Sequence, residues 1–380
     1  MSTNPISPFS GQIILLKGLS QYDVLRFFID DLYEGFTELG YNAAVVDLTA
    51  SNAINELYAL LNQPIFFVLG MNGVGIDLKA GNHSLYDAGG FPYFAFLVDH
   101  PLYHLERLKT NVKHLIVSCV DQKHVQYLQQ YEDIICTKAF IPHGARSYTE
   151  PRPFAKRRFP LVFAGTYMNP DEYRNQWKGF DSHLARLLDD AAEIAIYDSS
   201  RTLVEIFQSL LNEKGLGENP IFIRKLMGIM LLLDSFVRAK RRQMVIEALS
   251  EFPLTVFGNG WDKSGLPSNT RIEIHPSVSY KQVQEIMCDT QMVLTVLPNF
   301  KYGGHERIFS SMLSGAVAVS DSNAYLEQSF QAGLDFVPFS LAHLDKLREQ
   351  VGTLLENPAA MEEIARSGSD AVMKRHLWKH

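Results

Sequence analysis

Along the N-terminal half of the chain, short apolar runs alternate with longer segments in which apolar residues recur every three or four positions. In the first of these segments the recurring positions are Leu25, Phe28, Ile29, Leu32, Phe36 and Leu39. This spacing predicts a helix, which Gly40 ends. The apolar runs predict strands at 13–16, 43–48, 65–69, 93–98, 114–118 and 139–142. Such alternation is typical of an α/β protein with a parallel, doubly wound sheet.

A basic, proline-containing segment at 147–158 interrupts the alternation and predicts a linker between two domains. Further strands are predicted at 161–164, 254–257, 272–275, 292–297 and 316–320, with only helices after the last of them. The stretch 170–251 predicts a helical insertion, and 279–282 match a capping box, Ser-x-x-Gln, at the start of another helix. We therefore expect domains at 1–150 and 151–370 and a C-terminal tail at 371–380.

The segment 292–321 contains a strand, a glycine loop, a charged helix start, a helix and a second strand. Its loop holds Asn299 and the pair Gly303-Gly304, and its helix begins with His305, Glu306 and Arg307. Backbone N–H groups and the helix dipole favour an anion at such a position, and arginine adds donors that suit phosphate oxygens. The pattern predicts a phosphate site, with a nucleoside diphosphate as the expected ligand. The alternatives are an ordinary glycine turn, a capping role for His305 and a structural ion pair for Arg307.

Composition narrows the class of protein. A net charge of -7 and a pI near 6.0 argue against nucleic acid as the main partner. The three cysteines are widely spaced, which suits a reducing compartment and gives no metal-binding pattern. The N-terminal residues lack the features of a signal peptide, and the longest apolar run, near 226–233, is too short to span a bilayer. We expect a cytoplasmic protein, with peripheral membrane contact and homo-oligomerisation left open.

The segment 292–321 resembles the group 1 glycosyltransferases of GT-B architecture, and most closely their spore-maturation CgeB-type branch. The residues that carry the resemblance are Gly304, Arg307, Phe309, the turn Ser314-Gly315-Ala316 and the strand end Ser320-Asp321. The turns at Gly165-Thr166 and Gly258-Asn259-Gly260 also fit the C-terminal domain of that fold. The expected architecture is therefore two Rossmann-like domains that face a cleft.

The resemblance implies a transferase that needs no metal and no cofactor beyond its nucleoside-diphosphate-sugar donor. The implied donor-binding residues are Gly165, Thr166, Gly258, Tyr280, Asn299, Gly303, Gly304, His305, Glu306 and Arg307. For Tyr280 the alternative is simple packing. The chain departs from the family at Ser310, where many members have a glutamate that binds the donor ribose, and its nearest carboxylate is Glu306. The identity of the donor is therefore not implied.

The N-terminal domain is expected to bind the acceptor and to supply a base. Asp99 and His100 follow the predicted strand 93–98, at the edge where open α/β sheets place their chemistry, so either is a candidate base. The alternative is that Asp99 caps the next helix. The basic residues Arg238, Lys240, Arg241 and Arg242 are interpreted as a solvated helix face, with an approach to the diphosphate as the alternative.

These features predict a metal-independent glycosyltransferase that transfers a sugar from a nucleoside-diphosphate donor to a glycan, protein or small molecule. One rival is a nucleotide-sugar epimerase built on the same fold. Another is a non-catalytic module that binds a nucleotide-sugar or a protein partner.

Overall fold

The computed structural model describes residues 11–216, 220–267 and 270–380. The chain forms two compact units, of which the first runs to Gly144 and also includes Leu377–His380, and the second is Ala145–His376. The predicted limits were 150 and 370. The N-terminal residues on which the absence of a signal peptide was judged lie largely outside the described residues.

The first unit is built around a six-stranded parallel sheet in the order β2-β1-β3-β6-β7-β8. The six strands are β1 (Gln12–Lys17), β2 (Ala43–Asp47), β3 (Ile65–Met71), β6 (Tyr93–Leu97), β7 (Leu115–Cys119) and β8 (Thr137–Phe140), and a separate antiparallel pair is formed by β4 (Lys79–Ala80) and β5 (His83–Ser84). Its helices are α1 (Val24–Glu38), α2 (Ala53–Leu60), α3 (Leu85–Gly89), α4 (Leu105–Leu108) and α5 (Gln122–Gln129), with 3-10 turns at Gln21–Asp23 and Pro101–Tyr103. The six predicted strands are confirmed. Their apolar runs are nearly continuous because helices cover both faces of a parallel sheet.

The second unit contains another six-stranded parallel sheet, in the order β11-β10-β9-β12-β13-β14. Its strands are β9 (Phe159–Ala164), β10 (Leu254–Phe257), β11 (Ile272–His275), β12 (Thr290–Thr295), β13 (Val317–Asp321) and β14 (Val337–Phe339). In this order the chain proceeds outward from β9 in one direction and then continues from β12 in the other. The reversal between β9 and β12 is the topological switch point of a Rossmann-type sheet.

Helices surround the second sheet. They are α6 (Pro170–Trp177), α7 (Ser182–Tyr197), α8 (Leu203–Glu213), α9 (Pro220–Ala248), α10 (Tyr280–Met287), α11 (Glu306–Leu313), α12 (Ala324–Ser329), α13 (Leu344–Glu356) and α14 (Pro358–Arg375), with 3-10 turns at Phe154–Lys156 and Trp261–Lys263. The predicted helical insertion is confirmed as α6 to α9, and the predicted capping box at Ser279 and Gln282 is present. The prediction that only helices follow β13 was wrong, because β14 pairs with β13. Pro338 is compatible with this strand because β14 lies at the edge of the sheet.

A buried arginine fastens α9 to the end of α7. Arg241 is 2% exposed and donates to the carbonyls of Ala195, Ile196 and Asp198 at 2.6–3.1 Å. These carbonyls belong to the last turn of α7 and the residue after it, where a helix has no internal partner for them. The contact therefore satisfies the helix end and fixes the direction in which α9 runs.

The last residues of the chain are part of the first unit. The ring of Trp378 lies 5.4 Å from that of Phe28 and 6.1 Å from that of Phe96, measured between ring centroids. A methyl group added at Gly144 would come within 2.6 Å of the Trp378 ring, so this position requires glycine. None of the described helices has the length and apolar character needed to cross a bilayer.

Replacing Trp378 by alanine should lower the free energy of unfolding of the first unit by about 2–3 kcal/mol, because the half-buried ring would leave a cavity. Chemical denaturation followed by circular dichroism measures this change. Ile54→Ala, at an exposed position of α2 in the same unit, is the matched control and should change stability by less than about 0.5 kcal/mol. Equal losses in the two variants would contradict the packing role of Trp378.

Candidate functional site

The candidate site lies at the switch point of the second sheet. Gly165 and Thr166 follow β9, and the segment 296–305 connects β12 to α11. Because β9 and β12 are parallel neighbours, their carboxyl ends meet at one edge of the sheet. Open α/β sheets bind their ligands at this place.

Asn299 anchors the loop that follows β12. Its backbone adopts the left-handed conformation, with φ of 58°, which asparagine tolerates better than most residues do. Its side-chain amide nitrogen donates to Asp234 of α9 at 2.7 Å. Its Oδ1 atom is buried and has no hydrogen-bond partner among the described residues. Asn323 holds the other end of the loop by donating to the carbonyls of Phe300 and Gly303 at 3.1 and 2.9 Å.

The glycine pair has a structural explanation that needs no ligand. A methyl group added at Gly304 would lie 2.2 Å from the ring of Phe309, so a larger residue cannot fit there. Gly303 is buried and its carbonyl is held by Asn323. Close packing therefore accounts for Gly304, and the role of the pair in binding a diphosphate stays a prediction.

His305 caps α11, as the alternative interpretation had it. Its Nδ1 atom accepts a hydrogen bond from the backbone N–H of Arg307 at 3.2 Å, and its carbonyl accepts from Ile308 at 3.0 Å. Two of the N–H groups at the helix start are thus used by the helix itself. The carboxylate of Glu306, which is 5% exposed, contacts the same imidazole. Burial lowers the pKa of His305, and the charge of Glu306 acts in the opposite direction.

Arg307 extends from the start of α11 across the switch point. Its guanidinium donates to the carbonyl of Ala164, the last residue of β9, at 2.5 Å. An ion pair with Glu306 is also present but longer, at 3.7 Å. Arg307 therefore lies inside the candidate site, held by the strand that precedes Gly165.

Two arginines of α9 complete a group that we call the arginine cluster: Arg238, Arg242 and Arg307. Arg242 donates to the carbonyl of Thr166 at 3.5 Å, and Arg238 pairs with Asp234 at 3.5 Å. Burial lowers the pKa of Arg242 to about 9, and the charges of Arg238 and Arg307 contribute to the shift. Like charges that disfavour one another's protonated forms are typical of a site for an anion.

The interpretation of 238–242 as a solvated face was wrong. Arg241 is buried in the contact with α7, and Arg242 is half-buried beside Thr166. The basic run was nevertheless a partial signal, since an approach of these residues to the diphosphate was the alternative interpretation. It could not show which of them would make that approach.

Of the other residues predicted to bind the donor, Gly258 lies beside the end of β9. A methyl group at Gly258, which follows β10, would lie 2.0 Å from the carbonyl of Gly165, and this carbonyl accepts from the indole of Trp261 at 2.7 Å. Tyr280 is 6% exposed, with its ring edge-on to that of Tyr148 at 6.4 Å between centroids. The packing alternative for Tyr280 therefore matches its surroundings.

In the first unit, Asp99 lies exposed just beyond β6 and accepts from the side chain of Asn72 at 2.8 Å. Asn72 is buried, has a left-handed backbone with φ of 51°, and accepts from the backbone of Val98 at 2.9 Å. His100, and not Asp99, caps the following 3-10 turn, through Nδ1 and the N–H of Leu102 at 3.0 Å. The capping alternative for Asp99 was therefore wrong.

Sequence reasoning missed two residues near Asp99. Burial lowers the pKa of His104, while the charge of Asp99 opposes that shift and the charge of Arg107 adds to it. Arg107 donates to the carbonyl of Asn72 at 2.8 Å. Arg107 lies in the four-residue helix α4 and His104 directly before it. So short a helix carries no periodic pattern, and the sequence therefore held no signal for either residue.

Within the described part of the chain, no group of three or more His, Cys, Asp or Glu side chains is placed to hold a metal ion.

Comparison with known proteins found a family that is similar to the C-terminal part of the chain. Residues 240–380 match the model of a family described as "Glycosyl transferase-like". This segment includes the arginines 241 and 242, α11 and the whole of 292–321. No curated protein shows significant sequence similarity to the chain.

Solved structures match over nearly the whole length. A sucrose-phosphate synthase from Thermosynechococcus elongatus is 10% identical, with a TM-score of 0.54 over 97% of this chain and 96% of that one. An alpha-glucosyltransferase in complex with UDP-glucose and DNA containing an abasic site is 11% identical, with a TM-score of 0.55 over 96% and 95%. The Anabaena protein HepE in complex with UDP-glucose is 10% identical, with a TM-score of 0.51 over 97% and 96%.

The chain has the GT-B fold. At these identities the likeness to solved structures shows the fold alone.

The buried imidazole of His124, which packs beside His100, should make the free energy of unfolding depend on pH. Burial lowers the pKa of His124, whose ring packs 4.3 Å from that of His100, to about 3. The unfolded chain takes up this proton near pH 6.5, so stability should be lost as the pH falls from about 6.5 toward 3, by at most about 1.4 kcal/mol per pH unit. In chemical denaturation between pH 7 and 4, His124→Gln should lose stability less steeply than the wild type.

His114→Gln, at an exposed position of the same unit, is the control and should follow the wild-type curve. Parallel curves for His124→Gln and the wild type would show that His124 does not carry the pH dependence.

Proposed function

We propose that this protein is a glycosyltransferase that transfers a sugar from a nucleoside-diphosphate-sugar donor to an acceptor hydroxyl. The observation that carries the proposal is the arginine cluster at the switch point of the second sheet, where Arg307 and Arg242 bind the carbonyls on either side of Gly165. The family match over 240–380 supports the same reaction class.

The proposed donor is a UDP-hexose. HepE and the alpha-glucosyltransferase were each solved with UDP-glucose, and both share the fold of this chain. A buried serine, Ser310, stands where a ribose-binding glutamate is expected, so the ribose contacts must differ from those of many family members. Membership of the CgeB-type branch is part of the proposal and rests on the motif around Arg307.

DNA is present in the alpha-glucosyltransferase complex, and this is a property of that protein. For this chain the net charge of -7 argues against a polyanionic acceptor. A glycan, a protein or a small molecule is the proposed acceptor.

In the proposed reaction the acceptor oxygen forms a bond to the anomeric carbon of the sugar, and the bond from that carbon to the diphosphate breaks. The negative charge that develops on the diphosphate is stabilised by Arg307 and Arg242, which are already held in place by backbone carbonyls. The acceptor proton passes to a base if the configuration inverts. Asp99 is the proposed base, because His100 uses Nδ1 as a cap and packs against His124 and Tyr127.

Thermal-shift screening against UDP, GDP, dTDP and CMP would identify the nucleotide. Incubation with the UDP-sugar then separates the proposal from its rivals. A transferase releases UDP, an epimerase interconverts UDP-glucose and UDP-galactose without releasing UDP, and a non-catalytic module binds without turnover.

Arg307→Ala and Arg242→Ala should each weaken UDP binding at least tenfold, about 1.4 kcal/mol, because each removes a charge-assisted contact to the diphosphate. Isothermal titration calorimetry measures the affinity, and melting temperatures show whether each variant is folded. Arg348→Ala is the matched control, since Arg348 is exposed on α13 and pairs with Glu251. Wild-type affinity in both cluster variants would exclude the cluster as the diphosphate site.

Asp99→Asn should lower turnover at least about 100-fold, because the amide cannot take up the acceptor proton. The amide oxygen can still accept from Asn72, so UDP affinity should not change. UDP release from UDP-glucose, with water or added sugars as acceptor, measures turnover. Glu106→Gln, at an exposed position of α4, is the control. If Asp99→Asn turns over at the wild-type rate, another group is the base.

A further inference from the structure

The second unit contains a polar cavity at the carboxyl ends of β13 and β14, apart from the arginine cluster. Its volume is about 340 Å³, near the lower end of the range of about 300–1,000 Å³ found for small-molecule sites. The cavity is lined by the end of α7, the loop after β12, the ends of β13 and β14, and the first turns of α13. Arg242 and Arg307 do not line it.

Two charged residues with incomplete hydrogen bonding line this cavity. Arg241 is 2% exposed, and its Nε and Nη2 atoms donate to carbonyls of α7, whereas Nη1 has no acceptor among the described residues. Asp321 is 7% exposed, and its Oδ1 atom accepts from the N–H of Leu297 at 2.7 Å, whereas Oδ2 has no donor among them. No ion pair within 4 Å joins the two in the described structure, although each affects the pKa of the other. Each residue therefore keeps one polar atom for a ligand.

The charges around the cavity are balanced. Three lining residues are basic and three carry a carboxylate. The basic ones are Arg241, Lys301 and Lys346, and the acidic ones are Asp198, Asp321 and Glu327. The arginine cluster, in contrast, has three cations near two carboxylates, Asp234 and Glu306. A balanced lining gives no net attraction for a polyanion, so a neutral polar ligand is favoured.

Hydroxyl groups match the open atoms of Arg241 and Asp321, because a hydroxyl both donates and accepts hydrogen bonds. Aromatic rings of Phe300, Phe339 and Tyr197 also line the cavity and offer apolar surface. Vicinal hydroxyl groups beside an apolar C–H face are combined in a pyranose ring. We propose that this cavity binds a pyranose sugar, with Asp321 accepting from one hydroxyl and Arg241 donating to another. It would be a carbohydrate site separate from the proposed donor site.

Saturation-transfer difference NMR tests this site with glucose, galactose, mannose and N-acetylglucosamine as probes, each in the presence of saturating UDP. Asp321→Asn keeps an oxygen for Leu297 and replaces the open acceptor with a donor. Ser340→Phe fills the cavity from an exposed lining position, so it leaves the buried charges untouched. Melting temperatures show whether both variants are folded.

At least one of the sugars should bind the wild type, and its affinity should fall at least tenfold in both variants. Binding should persist in Arg242→Ala, in which UDP binding is expected to fail, so this proposal and the proposed function can fail separately. The site is excluded if none of the four sugars binds, if affinity is unchanged in either folded variant, or if binding is lost in Arg242→Ala. Tighter binding of glucose 1-phosphate than of every neutral sugar, reduced by Ser340→Phe, would also overturn the assignment.

Discussion

The functional interpretation depends on one constraint, which is the positive charge concentrated at the carboxyl end of β9. Arg307 and Arg242 reach this edge from two different helices and are held there by the carbonyls of Ala164 and Thr166. The lowered pKa of Arg242 reflects both its burial and the neighbouring charges of Arg238 and Arg307. A bound diphosphate would relieve this repulsion, and the contacts with carbonyls position the guanidinium groups before any ligand arrives. The arrangement therefore fits the proposal that an anion binds at this edge of the sheet.

Much of the fold could be predicted from the sequence, for a physical reason. Strands that are buried on both faces have nearly continuous apolar runs, and the helices between them have apolar residues on one side only. Among the strands of the two large sheets, the edge strand β11 alternates apolar and polar residues instead of forming such a run, yet eleven of the twelve strands were predicted. The exception is β14, whose three residues include Pro338. A short edge strand gains its position from its neighbour β13 and not from its own pattern.

The site could be predicted only in part, because the side chains of neighbouring residues on one helix contact different parts of the structure. Arg241 and Arg242 are adjacent, yet successive residues of a helix with 3.6 residues per turn point about 100° apart. Arg241 turns toward the carbonyls of α7, whereas Arg242 turns toward Thr166. The direction of each is decided by how the helical insertion packs, and a run of basic letters does not encode that packing. Arg307 was easier to predict because a glycine loop and a helix start fix its position locally.

In each unit an asparagine that lies after a strand donates a hydrogen bond to a carboxylate. Asn72 follows β3 and Asn299 lies in the loop after β12, and both adopt the left-handed backbone conformation. Each donates its side-chain amide to an aspartate, Asp99 in the first unit and Asp234 in the second. A left-handed backbone costs energy in residues other than glycine, so it persists only where surrounding contacts over-determine it. The amide contact to the aspartate is one such contact in each unit. The contact with Asn72 orients Asp99 while leaving it exposed, which is consistent with the proposal that Asp99 acts as a base.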